Sequence, residues 1–170
     1  MTHLPSMLES ILLRDLGTLR RELERYPEES LMWALPPGIP NSAGTLALHL
    51  VGNLQNFIGA RLGESGYVRD RDAEFSRRDV SRASILEEID ATARVIGATL
   101  PRLTDAALSE EFPERPGGFA IETADMLLGL AVHLGYHLGQ ISYHRRIVTG
   151  DPSGVGALSI AELSTARSGG

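Results

Sequence analysis

Apolar residues recur at three- and four-residue spacing in four stretches of the chain, which is the pattern of amphipathic helices. In the first stretch these residues are Leu8, Ile11, Leu12, Leu16, Leu19 and Leu23. The spacing predicts helices over about residues 5–25, 42–62, 81–100 and 123–148. Because polar segments of moderate length connect them, the pattern predicts an all-α fold, a four-helix bundle.

Proline and hydroxyl residues mark where these helices end and begin. The first helix should stop before Pro27, because proline disfavours helical conformation in the residue that precedes it. Three prolines exclude a helix from residues 35–40, and either Asn41 or Ser42 then supplies an N-cap for the second helix. The stretch 84–87, Ser-Ile-Leu-Glu, fits a capping box at the start of the third helix.

The size and composition of the chain predict one globular domain over residues 1–170. With 42% hydrophobic and 22% charged residues, the chain has an ordinary globular composition. We expect a helical core over about residues 5–149 and a Gly/Ser-rich tail over 150–170, with one helical turn near 158–163. His3 should lie in a loose terminal segment.

Charge and hydropathy exclude two classes of partner. The net charge of −6 argues against nucleic acid, because phosphate binding normally needs a basic surface. No apolar run reaches the roughly 20 residues of a membrane-spanning helix. The first six residues also lack the basic and apolar regions of a signal peptide. We therefore expect a cytoplasmic protein that contacts neither nucleic acid nor membrane.

The chain has no cysteine. This excludes disulfides, iron–sulfur clusters, thiolate zinc sites and a cysteine nucleophile. Any bound metal must use histidine, carboxylate, backbone or water ligands, and any sulfur nucleophile must come from a cosubstrate. We predict no catalytic nucleophile from the protein itself.

Two histidines four residues apart, His133 and His137, are the strongest candidates for metal ligands. This spacing places both imidazoles on one helical face, with Cβ atoms roughly 5–6 Å apart. His49 lies in the middle of the second predicted helix and supplies a third nitrogen from a neighbouring element. The alternative is a set of hydrogen-bonded core histidines without metal. His144 lies about 10 Å further along the helix than His137, so we interpret it as structural.

The sequence removes two other metal architectures. Residue 134 is leucine, so the His-Glu-x-x-His signature of metalloproteases is absent. No Glu-x-x-His occurs, which removes the ferritin-like di-iron arrangement. The predicted site is mononuclear and open to water or substrate, and zinc, nickel, iron and cobalt all suit its imidazole ligands.

Several polar residues near these histidines are further candidates. Asn53, Tyr136 and Gln140 could orient a ligand or hold water, although buried polar residues also commonly satisfy neighbours on their own helix. Arg69 and Arg71 could contact an anionic substrate, or belong to a solvated loop with local ion pairs.

Together these residues give a family resemblance. The chain resembles the DinB/YfiT-like superfamily through Asn41-Ser42, Leu46-Ala-Leu-His49-Leu-Val-Gly-Asn-Leu, residues 69–75 and the segment Val132-His133-x-x-x-His137-x-Gly-Gln140. The resemblance covers most of residues 5–149. It implies a four-helix bundle in which His49, His133 and His137 bind nickel or zinc. Characterised relatives include transferases and isomerases that use small thiols such as bacillithiol or mycothiol, and members are often dimers.

We therefore expect a metal-dependent enzyme of thiol-dependent S-transfer, in which the thiolate of a small thiol attacks a small electrophile. A three-histidine metal with open positions can lower the pKa of water to about 7 or deprotonate a thiol. A metal-dependent hydrolase is the alternative enzyme, and a non-catalytic metal- or small-ligand-binding protein is the alternative from another class. The expected substrate is a small molecule and the expected assembly a homodimer.

Overall fold

The computed structural model describes residues 4–78 and 80–169, so His3 lies outside the described residues. The helices are α1 (Leu4–Glu24), α2 (Ala43–Leu54), α3 (Arg71–Ser76), α4 (Arg82–Thr99), α5 (Asp105–Ser109) and α6 (Thr123–Thr149). A π-helical turn, Gln55–Ala60, extends α2 towards a last turn at Arg61–Gly63. In the described ranges no strand forms, only a single bridge between Glu111 and Glu122. The all-α prediction is confirmed.

The long helices pack side by side around one apolar core. α1 and α2 each pack against both α4 and α6. The core is built largely from leucine and isoleucine side chains that leave almost no surface in solvent, among them Leu12, Leu16, Leu50, Ile58, Ile85, Ile96, Leu134 and Ile141. Because α2 and α6 are neighbours, His49 on one helix can reach the two histidines on the other.

The ends of the helices show which capping predictions hold. Ser42 caps α2, since its hydroxyl accepts a hydrogen bond from the Thr45 amide at 3.2 Å. α1 ends at Glu24, ahead of Pro27 as predicted. The capping box at residues 84–87 is wrong. Ser81 caps α4 by accepting from the Ser84 amide, so Ser84 already lies in the first turn.

A hydrogen-bonded chain through His144 joins the segment that follows α1 to α6. The Tyr26 hydroxyl lies 2.8 Å from Nδ1 of His144, and Nε2 lies 2.8 Å from the carbonyl oxygen of Ala34. Because a carbonyl only accepts, Nε2 carries the proton and Nδ1 accepts from the tyrosine. Burial lowers the pKa of His144, outweighing the bond to Ala34 that raises it. Both ring nitrogens are engaged within the core, which supports a structural role.

A buried ion pair fixes the start of the C-terminal tail. Arg145 on α6 is fully buried and donates from Nε to the Glu22 carboxylate on α1, itself 1% exposed. The same guanidinium donates to the carbonyl oxygens of Asp151, at 3.1 Å, and Ser153. Further on, a 3-10 turn at Ile160–Glu162 lies within the stretch where one helical turn was expected.

Among the described residues, no helix combines the length and the apolar character that crossing a membrane requires.

Removing one partner of the buried ion pair should destabilise the fold strongly. In Arg145→Met the Glu22 carboxylate stays buried without its counter-charge, which costs about 3–5 kcal/mol. The matched control is Arg115→Met, because Arg115 pairs with Glu111 where both side chains are at least half exposed. We expect that change to cost under about 1 kcal/mol. Urea denaturation measures both values, and equal losses in the two variants would contradict the prediction.

Candidate metal centre

α2 and α6 bring His49, His133 and His137 to one point. One nitrogen from each ring can be chosen so that all three lie within 4.8 Å of one another. The Nε2 atoms of His49 and His133 are 3.2 Å apart. Two imidazole nitrogens bound to the same tetrahedral metal, at about 2.0–2.1 Å each, lie about 3.3 Å apart. The spacing therefore fits a shared divalent ion.

Burial differs among the three ligands. His49 is 7% exposed because its helix faces the core along its whole length, whereas His133 and His137 are half-buried at the edge of α6. In the parts of the chain that the structure describes, the cluster contains three potential ligands and no fourth. Catalytic zinc sites characteristically use three protein ligands and keep one position open. The three histidines could hold a metal in that manner.

Hydrogen bonds at Nδ1 orient two of the three rings. His49 donates from Nδ1 to Oε2 of Glu74 at 3.0 Å, and His137 donates from Nδ1 to Oε1 of Gln140 at 2.7 Å. A neutral imidazole carries a single proton, so these bonds leave the Nε2 lone pairs free. Such acceptors behind metal-binding histidines fix the tautomer and raise the basicity of the ligand.

Glu74 contacts the candidate site and was not among the residues predicted from the sequence. It lies in the short helix α3, which Asp70 caps by accepting from the Ala73 amide at 2.9 Å. Arg69 binds both carboxylate oxygens, with Nε 2.6 Å from Oε1 and an Nη atom 2.8 Å from Oε2. Burial alone would raise the pKa of Glu74, but the hydrogen bonds from Arg69 and His49 outweigh it, so the pKa lies below its ordinary value. The available signal was its place in residues 69–75, a segment that carried the resemblance.

A glycine on α2 makes room for this carboxylate. A Cβ atom at Gly52 would overlap Oε1 of Glu74 and lie 2.8 Å from its Cδ. Real Cβ atoms do not approach other atoms so closely, so a larger residue would push Glu74 away. Gly52 lies inside a predicted helix, where glycine costs roughly 1 kcal/mol relative to alanine. A glycine kept in a helix at this cost is the sequence signal that another part of the chain approaches the helix closely there.

The other residues predicted near the site take different positions. Asn53 is buried on α2, and its Oδ1 has no hydrogen-bond partner among the described residues. Tyr136 is 65% exposed and packs its ring 5.2 Å from that of His137, at an interplanar angle of 70°. Gln140 is the acceptor for His137. Both residues of α6 thus lie beside the triad on its exposed side.

The two arginines predicted to contact an anion occupy unlike surroundings. Arg69 is bound to Glu74, so its charge is largely neutralised within the protein. Arg71 is exposed, and its guanidinium lies 5.2 Å from the centroid of the Phe75 ring. That ring in turn packs 4.9 Å from the ring of His49. Arg71 is therefore separated from the histidines by an aromatic side chain.

The surroundings keep the imidazoles of α6 unprotonated. Burial, followed by the positive charge that His137, His49 and Arg69 can present, lowers the pKa of His133 to about 4. Burial also lowers the pKa of His137, although its bond to Gln140 acts in the opposite direction. A metal binds the neutral form of imidazole. The two rings are therefore available as ligands at neutral pH.

These pKa shifts predict how the stability of the metal-free chain depends on pH. In the unfolded chain His133 titrates near its ordinary value of 6.5, whereas in the fold it titrates near 4. Between these values the unfolded state binds more protons, so the free energy of unfolding falls as pH falls. Urea denaturation at several pH values measures the slope. The slope reports how many more protons the unfolded state binds than the folded state. We expect His133→Gln to reduce this number by up to about one proton. An unchanged slope would contradict the assignment.

Gly52→Ala tests the arrangement behind His49. Displacing Glu74 removes the acceptor for Nδ1, and loss of such a partner costs about 10–100-fold in metal affinity. The control is Gly97→Ala on α4, where a Cβ would make an ordinary contact of 3.6 Å with Glu9. Calorimetric titration with zinc or nickel should show weaker binding for Gly52→Ala and unchanged binding for Gly97→Ala. Equal affinities in the two variants would show that the space left at Gly52 has no effect on metal binding.

Comparison with known proteins shows which family the chain belongs to. Comparison with curated proteins gives no significant match, and comparison with solved structures gives none either. The sequence profile of the DinB superfamily, however, matches residues 12–141. That span is most of the chain, and it includes the three histidines together with Gly52 and Glu74. The chain belongs to the DinB superfamily.

Proposed function

We propose that the chain is a metal-dependent enzyme of thiol-dependent S-transfer at the His49–His133–His137 centre, in which the sulfur of a small thiol loses its proton, forms a bond to a small electrophile and displaces the leaving group of that electrophile. The observation that carries the proposal is the convergence of three imidazole nitrogens within 4.8 Å of one another. Two of the rings are held by acceptors at Nδ1, and the side of the cluster formed by α6 is only half-buried. The arrangement is preorganised and accessible, as a catalytic site requires.

The donor set supports nickel or zinc as the metal. Three neutral nitrogens suit both ions, and the sequence has no thiolate ligand to offer. A divalent cation in this position would supply Lewis acidity that lowers the pKa of a coordinating thiol, so that the thiol gives up its proton to solvent. His49, His133 and His137 would hold the cation, and Glu74 and Gln140 would keep two of those rings in the required orientation.

Charge and hydrogen bonding around the triad favour thiol chemistry over hydrolysis. Activation of water by a metalloprotease-type centre uses a free carboxylate as general base. The carboxylate beside this triad, Glu74, accepts hydrogen bonds on both oxygens from Arg69 and His49, and its pKa is lowered. A thiol, with an ordinary pKa near 8.5, loses its proton more readily than water and needs less help from a base.

We assign contacts with the substrates to two polar side chains near the triad. Asn53 lies four residues after His49, one turn along the same face of α2, and its Oδ1 is a buried acceptor without a partner among the described residues. Tyr136 is an exposed side chain whose ring packs beside that of His137. We assign to these groups the binding of polar atoms on the thiol or the electrophile, and to neither a role as nucleophile.

Metal analysis and a thiol screen test the proposal together. The chain, purified without a histidine tag, should carry about one nickel or zinc per molecule. It should also accelerate the reaction of 1-chloro-2,4-dinitrobenzene with at least one of cysteine, N-acetylcysteine and glutathione. His133→Ala should lose metal and activity, because two ligands do not hold the ion. His144→Gln, which removes an imidazole from the same helix, should keep both.

Three results would argue against the proposal. Substoichiometric metal, with no rise in thermal stability when zinc or nickel is added, would exclude the metal centre. Metal-dependent cleavage of 4-nitrophenyl acetate without any thiol reaction would indicate a hydrolase. Full metal occupancy with neither activity would indicate a binding protein.

A further inference from the structure

A cavity of about 270 Å³ lies between α1, α6 and the C-terminal tail. None of the described residues that line it belongs to the histidine triad. Gly135 and Gly139 form part of its wall on α6, and a Cβ atom at either position would meet no other atom within 4 Å. At about 30 Å³ for each water, the space would hold about nine water molecules. Its volume is therefore that of a small organic ligand.

α1 turns a line of buried polar residues towards this cavity. Asp15, Thr18 and Glu22 follow one another at three- and four-residue spacing, and each is between 1% and 3% exposed. Burying polar groups is costly unless they are hydrogen bonded. Thr18 meets this condition within the protein, because its hydroxyl donates to the Arg14 carbonyl oxygen and accepts from Arg21. The two carboxylates differ from it and from each other.

Asp15 keeps hydrogen-bonding capacity that the protein does not use. It accepts a hydrogen bond on Oδ1 from Nε of Arg14 at 2.8 Å. Its second oxygen, Oδ2, has no hydrogen-bond partner among the described residues. A carboxylate oxygen that is removed from water without gaining a donor is unfavourable. Asp15 thus offers an acceptor to a donor group from outside the chain.

Arg146 is the charged lining residue that has no counter-charge in the described chain. Its guanidinium lies 5.6 Å from the centroid of the Tyr143 ring but makes no ion pair or hydrogen bond with a described residue. Glu22, by contrast, is compensated by the buried Arg145. A guanidinium binds a carboxylate through two parallel hydrogen bonds. Arg146 is therefore suited to an anionic group on a ligand.

The acceptor and the cation lie towards opposite ends of the cavity. Arg145 binds Glu22, so the neighbouring Arg146 lies at the Glu22 end. Asp15 precedes Glu22 by seven residues, which is about 10 Å along α1 at 1.5 Å per residue. A ligand that reaches both groups must be elongated. Between them the wall is apolar, formed by the two glycines, Leu138 and the tail.

We propose that this cavity is a second ligand site, which binds a small elongated zwitterion with its ammonium at Asp15 and its carboxylate at Arg146. An ammonium group supplies the hydrogen-bond donor that Oδ2 of Asp15 lacks. Its methylene chain lies against Leu138 and the glycines, where no polar partner is needed. The site is independent of the metal chemistry proposed above, since it uses other residues.

The C-terminal tail covers the cavity and leaves a way in. Arg21 donates from Nε to the carbonyl oxygen of Val155 at 2.9 Å, and Arg145 binds the carbonyl oxygens of Asp151 and Ser153. These bonds fix the tail to α1 and α6 up to the cavity. Leu158, which lines the cavity beyond them, is 66% exposed. A ligand can enter beside this side chain without separating the helices.

Titration calorimetry with 6-aminohexanoate tests the proposal. We expect saturable binding to the full chain that EDTA does not change, because the cavity includes none of the triad histidines. Hexanoate lacks the ammonium and hexylamine lacks the carboxylate. Each should bind at least about tenfold more weakly, through loss of one charge-assisted contact. Absence of saturable binding of 6-aminohexanoate, or equal binding of either analogue, would overturn the proposal.

A pair of glycine variants tests where the ligand binds. Gly135→Met places a flexible side chain in the open space of the cavity, so it should abolish binding of 6-aminohexanoate while helical circular dichroism stays unchanged. Gly129→Met is the matched control, at an equally open position on α6 that does not line the cavity. It should bind like the unmodified chain. Equal affinities in the two variants would place the ligand elsewhere.

An arginine pair tests the carboxylate contact. Arg146→Met should weaken 6-aminohexanoate at least about tenfold and leave the weak binding of hexylamine unchanged, since hexylamine has no carboxylate. Arg94→Met, at an exposed arginine of α4 that likewise has no ion pair among the described residues, should change neither. An equal loss for both ligands in Arg146→Met would show a general distortion of the cavity and contradict the assigned contact.

Discussion

The candidate metal centre requires three imidazoles to be close together and unprotonated, with one nitrogen of each directed at the same point. These rings lie in surroundings that are partly shielded from solvent. Burying polar rings is costly unless each is hydrogen bonded or bound to a cation. The structure meets this constraint in two ways. Burial lowers the pKa of His133 and His137, which disfavours their protonation. Acceptors behind His49 and His137 fix which nitrogen carries the remaining proton. The position of Glu74, and with it the presence of Gly52, follows from this requirement.

The fold supplies the rigidity that such convergence needs. α2 and α6 lie side by side and are each packed against other long helices, so the distance between His49 and the α6 histidines is set by the core. Buried polar links reinforce the arrangement at the other end of α6, where His144 and Arg145 bind residues of α1 and of the loop that follows it. A site held by packed helices keeps its geometry better than one built on loops.

The sequence predicted those parts of the structure that depend on local spacing. Helical periodicity located the long helices because burial of an apolar face decides where they form. The pairing of His133 with His137 followed from the same geometry. Glu74 was not predictable in this way, since α3 is too short to show periodicity and its contact with His49 joins residues distant in sequence. The capping box at residues 84–87 failed because Ser81 offers the same cap chemistry one turn earlier.

The acceptors behind the rings have a consequence for the three nitrogens themselves. His49 is backed by a carboxylate, whereas His137 is backed by a neutral amide. The nitrogen of His49 is therefore the more electron-rich donor. A cation held here would therefore meet three unequal donors, with the strongest one on the buried helix α2 and the others on the half-buried side formed by α6.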